Sequence, residues 1–387
     1  MKYNSSLFAQ ILQILPRTAF AKAVRECGAE KHSKGFSSWD QMVSMLFCQF
    51  AQCKSLREIS DGLAVTTGKL SHLAMKSAPA KSTLAYANEH RSWEVYQKLF
   101  YSLLGQFKTI SPDKKQKFTF KNKLLSMDAS LIDLCLGLFP WAEYKQMKGA
   151  VKLHLMLDHD GYFPVFADVT SAKTNELKIA QVVDVPKGSI ITLDRGYIDY
   201  GLFAKWTNQG VFFVTRLKNK SLIEVIEERP VDEDSNVLAD CLIQLTGYRV
   251  KKKHPGQLRL VVVWDERNQT NTAFITNLFD FDAATIAEIY RDRWEIELFF
   301  KVLKQYLKIK TFVGTSSNAL KIQIWTALIT ILLIRFMQFK SKCYLPLCRL
   351  VALLRLNLFT YRDLWRWLEN PFETPPEAPS VQMELVF

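Results

Sequence analysis

The sequence predicts a mixed α/β fold, with a sheet covered by helices, a β-rich insertion, and helical regions at both ends. Three observations predict it. VKLHLMLDHDGYFPVFADVT places two apolar runs around Asp158-His159-Asp160-Gly161, a hairpin signal. Strand and helix patterns then alternate: NELKIAQVVDV with helical spacing, GSIITLDRGY as a short strand, YIDYGLFAKWTNQG as a helix and VFFVTRLK as a strand. That alternation indicates a mixed sheet with helices on its faces. Both ends of the chain carry helical periodicity instead.

Composition bounds the answer. The chain has 387 residues, which suggests two or three domains, and 48% apolar with 23% charged residues is ordinary for a folded protein. A mostly disordered chain, a collagen and a coiled-coil rod are excluded. Fifty-one Lys and Arg against 38 Asp and Glu give +13, a surplus that favours a polyanionic partner, nucleic acid or an anionic membrane face. The seven cysteines are scattered, with no C-x-x-C and no histidine pair at zinc-finger spacing, which argues against a disulfide framework or structural zinc. Reduced thiols and the lack of a signal-peptide pattern fit a cytoplasmic protein. The most apolar run, Ile322 to Phe339, is interrupted by Gln323, Arg335 and Gln338 and reads as a buried helix, so no membrane partner is expected.

The elements follow in order. Residues 1–108 read as helical. Phe36 to Cys53 is periodic and apolar, and SLREISDGL opens on Ser55 with Glu58 three residues later, a capping-box pattern. A further helix is expected from Ser82-Thr83 through TLAYANEHRSWEVYQKLFYSLL. Short helices joined by tight turns suit a helix-turn-helix DNA reader or a plain helical bundle. Residues 109–123 are polar and basic, a candidate linker. Residues 124–216 form the first part of the α/β core. Residues 217–280 form the β-rich insertion, in which LIEVIE, YRVKKK, QLRLVVVW and NTAFITNL all read as strands. A helix opens at Ala283 and runs to about Lys308 within a segment 281–312. Residues 313–387 hold apolar helices and a Pro-rich tail from Pro371 to Pro379.

Three carboxylates stand out by position. Asp128 lies in the apolar strand LLSMDASLIDL, Asp194 follows IITL, and Glu297 lies on the late helix. A carboxylate in an apolar strand is costly unless something stabilises it, and a divalent cation does so when several converge. Asp133 would face the other side of its strand and reads as structural, Asp158 and Asp160 read as turn residues, and His154 reads as packed or hydrogen-bonded. On one continuous helix at about 100° per residue, Tyr290, Arg293, Glu297 and Lys304 share an arc of roughly 60°. Asp292 and Glu295 fall well off that stripe. The apolar set Ile289, Ile296, Phe300 and Leu303 borders it. An acid flanked by Arg and Lys suits a metal site with phosphate contacts beside it.

The spacing Tyr290-x2-Arg293-x3-Glu297-x6-Lys304 resembles the signature of DDE transposases of the insertion-sequence-four family. The strand around Asp128 and the turn Asp194-Arg195-Gly196-Tyr197 resemble the other two blocks of that family, in the same order. The resemblance covers about Leu124 to Phe312. It implies a ribonuclease-H-like core with a β insertion, and a helical DNA-binding region before it. It implies that Asp128, Asp194 and Glu297 hold two Mg²⁺ ions, for which Mn²⁺ substitutes. Tyr290, Arg293 and Lys304 would orient phosphates, with Arg195 and Tyr197 in similar roles and Trp264 of the insertion stacking on a flipped base. Lys251 to Lys253, Lys301, Lys308 and Lys310 are further candidate backbone contacts. The implied activity is binding of terminal inverted repeats, cleavage at both ends and joining of 3′-hydroxyls to target DNA. The implied partners are double-stranded DNA, both transposon ends and target, and a second copy of the chain in a homodimer on that DNA.

No nucleotide cofactor is expected, because the sequence has no G-x4-G-K-[ST]. Two other readings stay open: a ribonuclease-H-like nuclease or resolvase without strand transfer, and a DNA-binding repressor that no longer catalyses.

Overall fold

The computed structural model describes residues 5–31, 33–66, 70–110, 118, 120–145, 148–232, 235–254, 256–266, 268–307, 309 and 311–373. Most of the basic linker, most of the Pro-rich tail, and Lys308 and Lys310 lie outside the described residues.

The chain opens with six helices: α1 (Leu7–Gln13), α2 (Arg17–Glu26), α3 (Ser38–Ala51), α4 (Leu56–Ala64), α5 (Lys81–His90) and α6 (Glu94–Ile110). Local chemistry sets their ends. Ser37 and Asp40 form a reciprocal capping box on α3. Ser55 accepts from the Glu58 N–H to cap α4, while the Glu58 carboxylate reaches one residue further back, to the Lys54 N–H. The single helix expected from Ser82 onward is two helices, because Arg91 is extended. The break is held from outside: the Asn318 side chain donates to the Asn88 and Arg91 carbonyls.

The sheet follows, with β1 (Leu124–Leu134), β2 (Glu143–Lys145), β3 (Lys148–Asp158), β4 (Phe163–Ser171), α7 (Glu176–Val182), β5 (Ile190–Leu193), α8 (Tyr200–Asn208) and β6 (Phe212–Arg216). Strands β1, β3 and β4 are antiparallel neighbours, and β5 and β6 continue the sheet parallel to β1. Spatial order β4-β3-β1-β5-β6 is that of a ribonuclease-H-like sheet. The β3–β4 turn carries positive φ at Gly161 and Tyr162, which reverses the chain just after His159.

The insertion comprises β7 (Ile223–Glu228), β8 (Val237–Leu245), α9 (Tyr248–Lys253), β9 (Leu258–Asp265) and β10 (Thr270–Thr276). Its strands extend the same sheet through β10, which pairs with β6, giving ten strands among the described residues. YRVKKK, read from sequence as a strand, is the helix α9. Gly247 turns the chain, and three consecutive lysines without alternating apolar partners leave nothing to bury on a sheet face.

Helices α10 (Ala283–Asp292), α11 (Trp294–Tyr306), α12 (Ser317–Lys340), α13 (Leu347–Asn357) and α14 (Leu364–Glu369) complete the fold. The helix expected from Ala283 to Lys308 is broken at Arg293, whose N–H bonds back only three residues, to the Tyr290 carbonyl. The break has a packing cause. Ile289 of α10 belongs to a core against the insertion strands, whereas Ile296, Phe300 and Leu303 of α11 belong to the core shared with the terminal helices.

Helix α12 is long and apolar enough to cross a membrane by length and composition, but it is buried within the protein. It packs against α3, α5, α6, α11, α13, α14 and β4. Helices α1–α6 do not close a core of their own; they share one with α11–α14 and one face of β3 and β4. Backbone bonds from Leu7 and Phe8 to the Thr360 and Leu358 carbonyls stitch the two ends together.

Candidate active site

The two faces of the central sheet have different partners. Leu125, Met127, Ile191 and Leu193 point into a core closed by α7 and α8. Leu124, Ile190 and Val214 point the other way, under α10. Strand alternation therefore sends Ser126 and Asp128 of β1, and Thr192 of β5, to the α10–α11 side. The register pairs Ser126 with Thr192 and Met127 with Leu193, so Asp194 follows beside Asp128 at the end of the neighbouring parallel strand. Steps of about 6.6 Å along each strand carry an apolar residue, then a buried hydroxyl, then an acid.

Helix α11 lays the third acid over this end of β1. Arg293 bridges the acids: its guanidinium lies 2.7 Å from Glu297 Oε1 and 3.9 Å from Asp128 Oδ2. Burial pushes the Asp128 carboxyl up to about 6; the Ala129 N–H and Arg293 oppose this, and Asp194 and Glu297 add to it. The three acids thus feel one another electrostatically. Among the described residues no three His, Cys, Asp or Glu side chains converge to hold a single ion, and Arg293 spans the interval between Asp128 and Glu297. Asp194 is exposed and accepts the Arg195 N–H at 2.6 Å.

The phosphate-binding candidates separate. Tyr290 is buried against Phe274, with Arg293 and Arg216 guanidiniums 5.4 and 5.3 Å from its ring. Burial raises its phenol pKa. The Nε atoms of Arg216 and Arg293 are buried and have no hydrogen-bond partner. Lys304 lies seven residues beyond Glu297, two turns further along the same side of α11. Arg195 is exposed beside Asp194, but Tyr197 is fully buried in the core under α7 and α8, on the far face of the sheet. Trp264 is not brought to the site: the alternation of β9 turns it to that far face, and β6 and β10 separate β9 from β5. Lys251–Lys253 and Lys301 are exposed. His154 is buried, bonded to Thr170 Oγ1 at 2.9 Å, and held neutral by burial with a pKa lowered to about 4.

Sequence reasoning missed five residues at this site: Arg216, Ser126, Thr192, His159 and Asp292. Arg216 was signalled by an arginine ending an apolar strand next to that of Asp194. Ser126 and Thr192 were signalled by lying two residues before each acid. His159 and Asp292 carried no local signal, because their meaning depends on a turn and a helix break meeting in space. Asp158 acts in the turn, as read from the sequence, by accepting the Asp160 N–H at 3.0 Å, and it is also buried at the end of β3 and paired with Lys123 at 2.6 Å.

An acid within the central strand, a second just past the end of its parallel neighbour and a third on the covering helix make the layout of a ribonuclease-H-like polynucleotidyl transferase or endonuclease. Residues 119–333 match the family described as the transposase DDE domain, and residues 3–76 match a domain of unknown function. The chain is 30% identical to the Sinorhizobium fredii protein named "Putative transposase y4zB", over 78% of this chain and 83% of that one. It is 26% identical to a Geobacillus stearothermophilus protein named "Probable transposase for insertion sequence element IS5377", over 59% and 60%. A solved piggyBac transposase synaptic complex with hairpin DNA aligns at TM-score 0.45 and 13% identity, over 97% of this chain and 81% of that one. The chain belongs to the transposase DDE domain family.

Proposed function

We propose that this chain is a DNA transposase of an insertion sequence that binds the element's terminal inverted repeats, cuts the ends and joins their 3′-hydroxyls to target DNA. The observation that carries the reading is the register-matched pair Asp128 and Asp194 with the Arg293–Glu297 bridge above them. Its oxygen-only donors fit Mg²⁺ or Mn²⁺. The raised Asp128 pKa comes first from burial, with a smaller push from Asp194 and Glu297, and a bound cation would offset both. Asp128, Asp194 and Glu297 would hold two such ions. Bound there, the ions supply an activated oxygen nucleophile and stabilise the leaving oxygen of an in-line displacement.

The other residues bind and orient. Arg293 and Arg216 keep their Nε donors buried and unspent, suited to a phosphate entering between α10–α11 and the strand ends. Moving Arg293 onto a phosphate frees Asp128 and Glu297 to turn inward. Both guanidiniums lie over the Tyr290 ring, which sets their direction. Lys304 and Arg195 extend the basic margin. The +13 charge of the chain favours DNA at every step, and a homodimer on paired ends is the working assembly.

The test is cleavage of labelled DNA carrying the sequences that flank the coding region, with Mg²⁺ or EDTA, for wild type and Glu297→Ala. Metal-dependent nicking at the element boundary, lost in the variant, and strand transfer on adding target DNA are expected. End binding without cleavage in any metal would instead favour a repressor, and cleavage without joining a nuclease.

A further inference from the structure

A buried chain of hydrogen bonds runs directly beneath the acids. Thr192 Oγ1 and Ser126 Oγ lie 2.6 Å apart, Ser126 Oγ lies 2.6 Å from His159 Nε2, and His159 Nδ1 lies 2.6 Å from Asp292 Oδ2. Ser126 and Thr192 are fully buried, and the His159 and Asp292 side chains nearly so. The His159 backbone is fixed as well, its N–H donating to the Leu124 carbonyl at 3.0 Å. Donors can be assigned in one direction throughout: Thr192 to Ser126, Ser126 to Nε2, and Nδ1–H to the Asp292 carboxylate. The Nδ1–H tautomer of His159 satisfies these three bonds, with the Thr192 hydroxyl proton shared between Ser126 Oγ and the Leu125 carbonyl at 3.3 Å.

The order Ser–His–Asp invites comparison with a nucleophilic triad. Ser126 is sealed from solvent and shared with Thr192, so no substrate carbonyl reaches it. Its place in the fold indicates a different role. Ser126 precedes Asp128 by two residues on β1, and Thr192 precedes Asp194 by two on β5. Asp292 is the last residue of α10, next to Arg293 and five before Glu297. The imidazole is thus the link between the two strands that carry acids and the helix break that carries the third.

We propose that His159 and Asp292 are positioning residues, which fix the junction of α10 and α11 against β1 and β5 and so set how Arg293 and Glu297 face Asp128 and Asp194. The proposal rests on the transposase reading for its catalytic consequence, but not for its structural one. An orienting partner one bond away from a metal or catalytic ligand commonly controls affinity or rate by 10–100-fold. Changing Asp292 to Asn removes the carboxylate charge that accepts from Nδ1–H and allows an amide donor to face Nδ1, which would reverse the tautomer on which the chain depends.

The experiment compares full-length wild type, Asp292→Asn and Ser126→Ala, with Thr192→Ser as the variant that keeps its hydroxyl. Four quantities are read: amide exchange across residues 290–298 without DNA, Mn²⁺ affinity by electron paramagnetic resonance, end-DNA affinity, and single-turnover nicking at saturating DNA. Asp292→Asn and Ser126→Ala should lose about tenfold or more of exchange protection at 290–298, with α12 amides unchanged. They should bind Mn²⁺ or nick about 10–100-fold less well, with end affinity within about twofold and Thr192→Ser near wild type. Unchanged exchange across 290–298 overturns the proposal, as does a uniform loss of protection, affinity and rate, which would mark these residues as core alone. Wild type that neither binds Mn²⁺ nor nicks, with the exchange response intact, would refute the transposase reading and leave the positioning role standing.

Discussion

Replacing Asp128 with Asn is expected to stabilise the metal-free protein while destroying its site. Burial moves the Asp128 carboxyl from its ordinary 3.8 up to about 6, and the side chain is only 20% exposed. A raised folded-state pKa means the folded chain holds this proton more tightly than the unfolded chain does. The stability it contributes is therefore fully present below about 3.8 and lost as pH rises through about 6. That displacement corresponds to about 3 kcal/mol above pH 7. The amide of Asn keeps the acceptor for the Ala129 N–H and removes the charge. That figure already includes the opposing pull of Arg293 at 3.9 Å. The variant should then be about 3 kcal/mol more stable than wild type at pH 8, with the difference shrinking toward pH 4. Urea unfolding in EDTA at pH 4.5, 6 and 8 measures it. An offset that does not change with pH, or a wild type more stable than the variant at pH 8, would refute the reasoning.

Glu295→Ala should keep nicking activity and Glu297→Ala should lose it; an essential Glu295 would show that α11 is turned differently from its Arg293–Glu297 bridge. Asp240→Ala should cost about 3–5 kcal/mol, read by thermal melting, because it strands the buried Arg259 guanidinium, which spans Asp240 at 2.8 and 2.6 Å and the Leu278 and Phe279 carbonyls. Arg259→Met together with Asp240→Leu should recover only part of that loss, because the Leu278 and Phe281 carbonyls lose the guanidinium donor.

The strands and acids were legible in the sequence because each rests on a local pattern. Alternation around Asp128, the stop after IITL at Asp194, and the hairpin at Asp158–Gly161 need no knowledge of what packs against them. The helix carrying Glu297 was legible as a helix, but not as two. Its apolar residues keep one 3.6-residue period across Arg293, and only the presence of two separate cores on either side of Arg293 breaks it. The same blindness hid Asp292, which projects off the phosphate stripe on an ideal helix yet is buried on His159. YRVKKK misled for a related reason: short basic runs between strands carry no period, and Gly247 decides the outcome. The common core of the first six and last four helices was equally invisible, since it depends on contacts more than 300 residues apart, such as Gln10 with Arg362.

The charge balance of the site leads to one more expectation. Burial, with a smaller push from Asp194 and Glu297, keeps the proton on Asp128 up to about pH 6 against the pull of the Arg293 guanidinium. A divalent cation and that proton compete for the same carboxylate, so cation binding must release the proton. Affinity should therefore fall as pH drops below about 6, by about tenfold per pH unit, and stay nearly level between pH 7 and 8. Mn²⁺ titration at pH 5, 6, 7 and 8 reads this directly, and Asp128→Asn should bind weakly with that break in the profile gone. A wild-type affinity that is flat from pH 5 to 8 would mean that the cation is held without Asp128, and the acids would have to be reassigned.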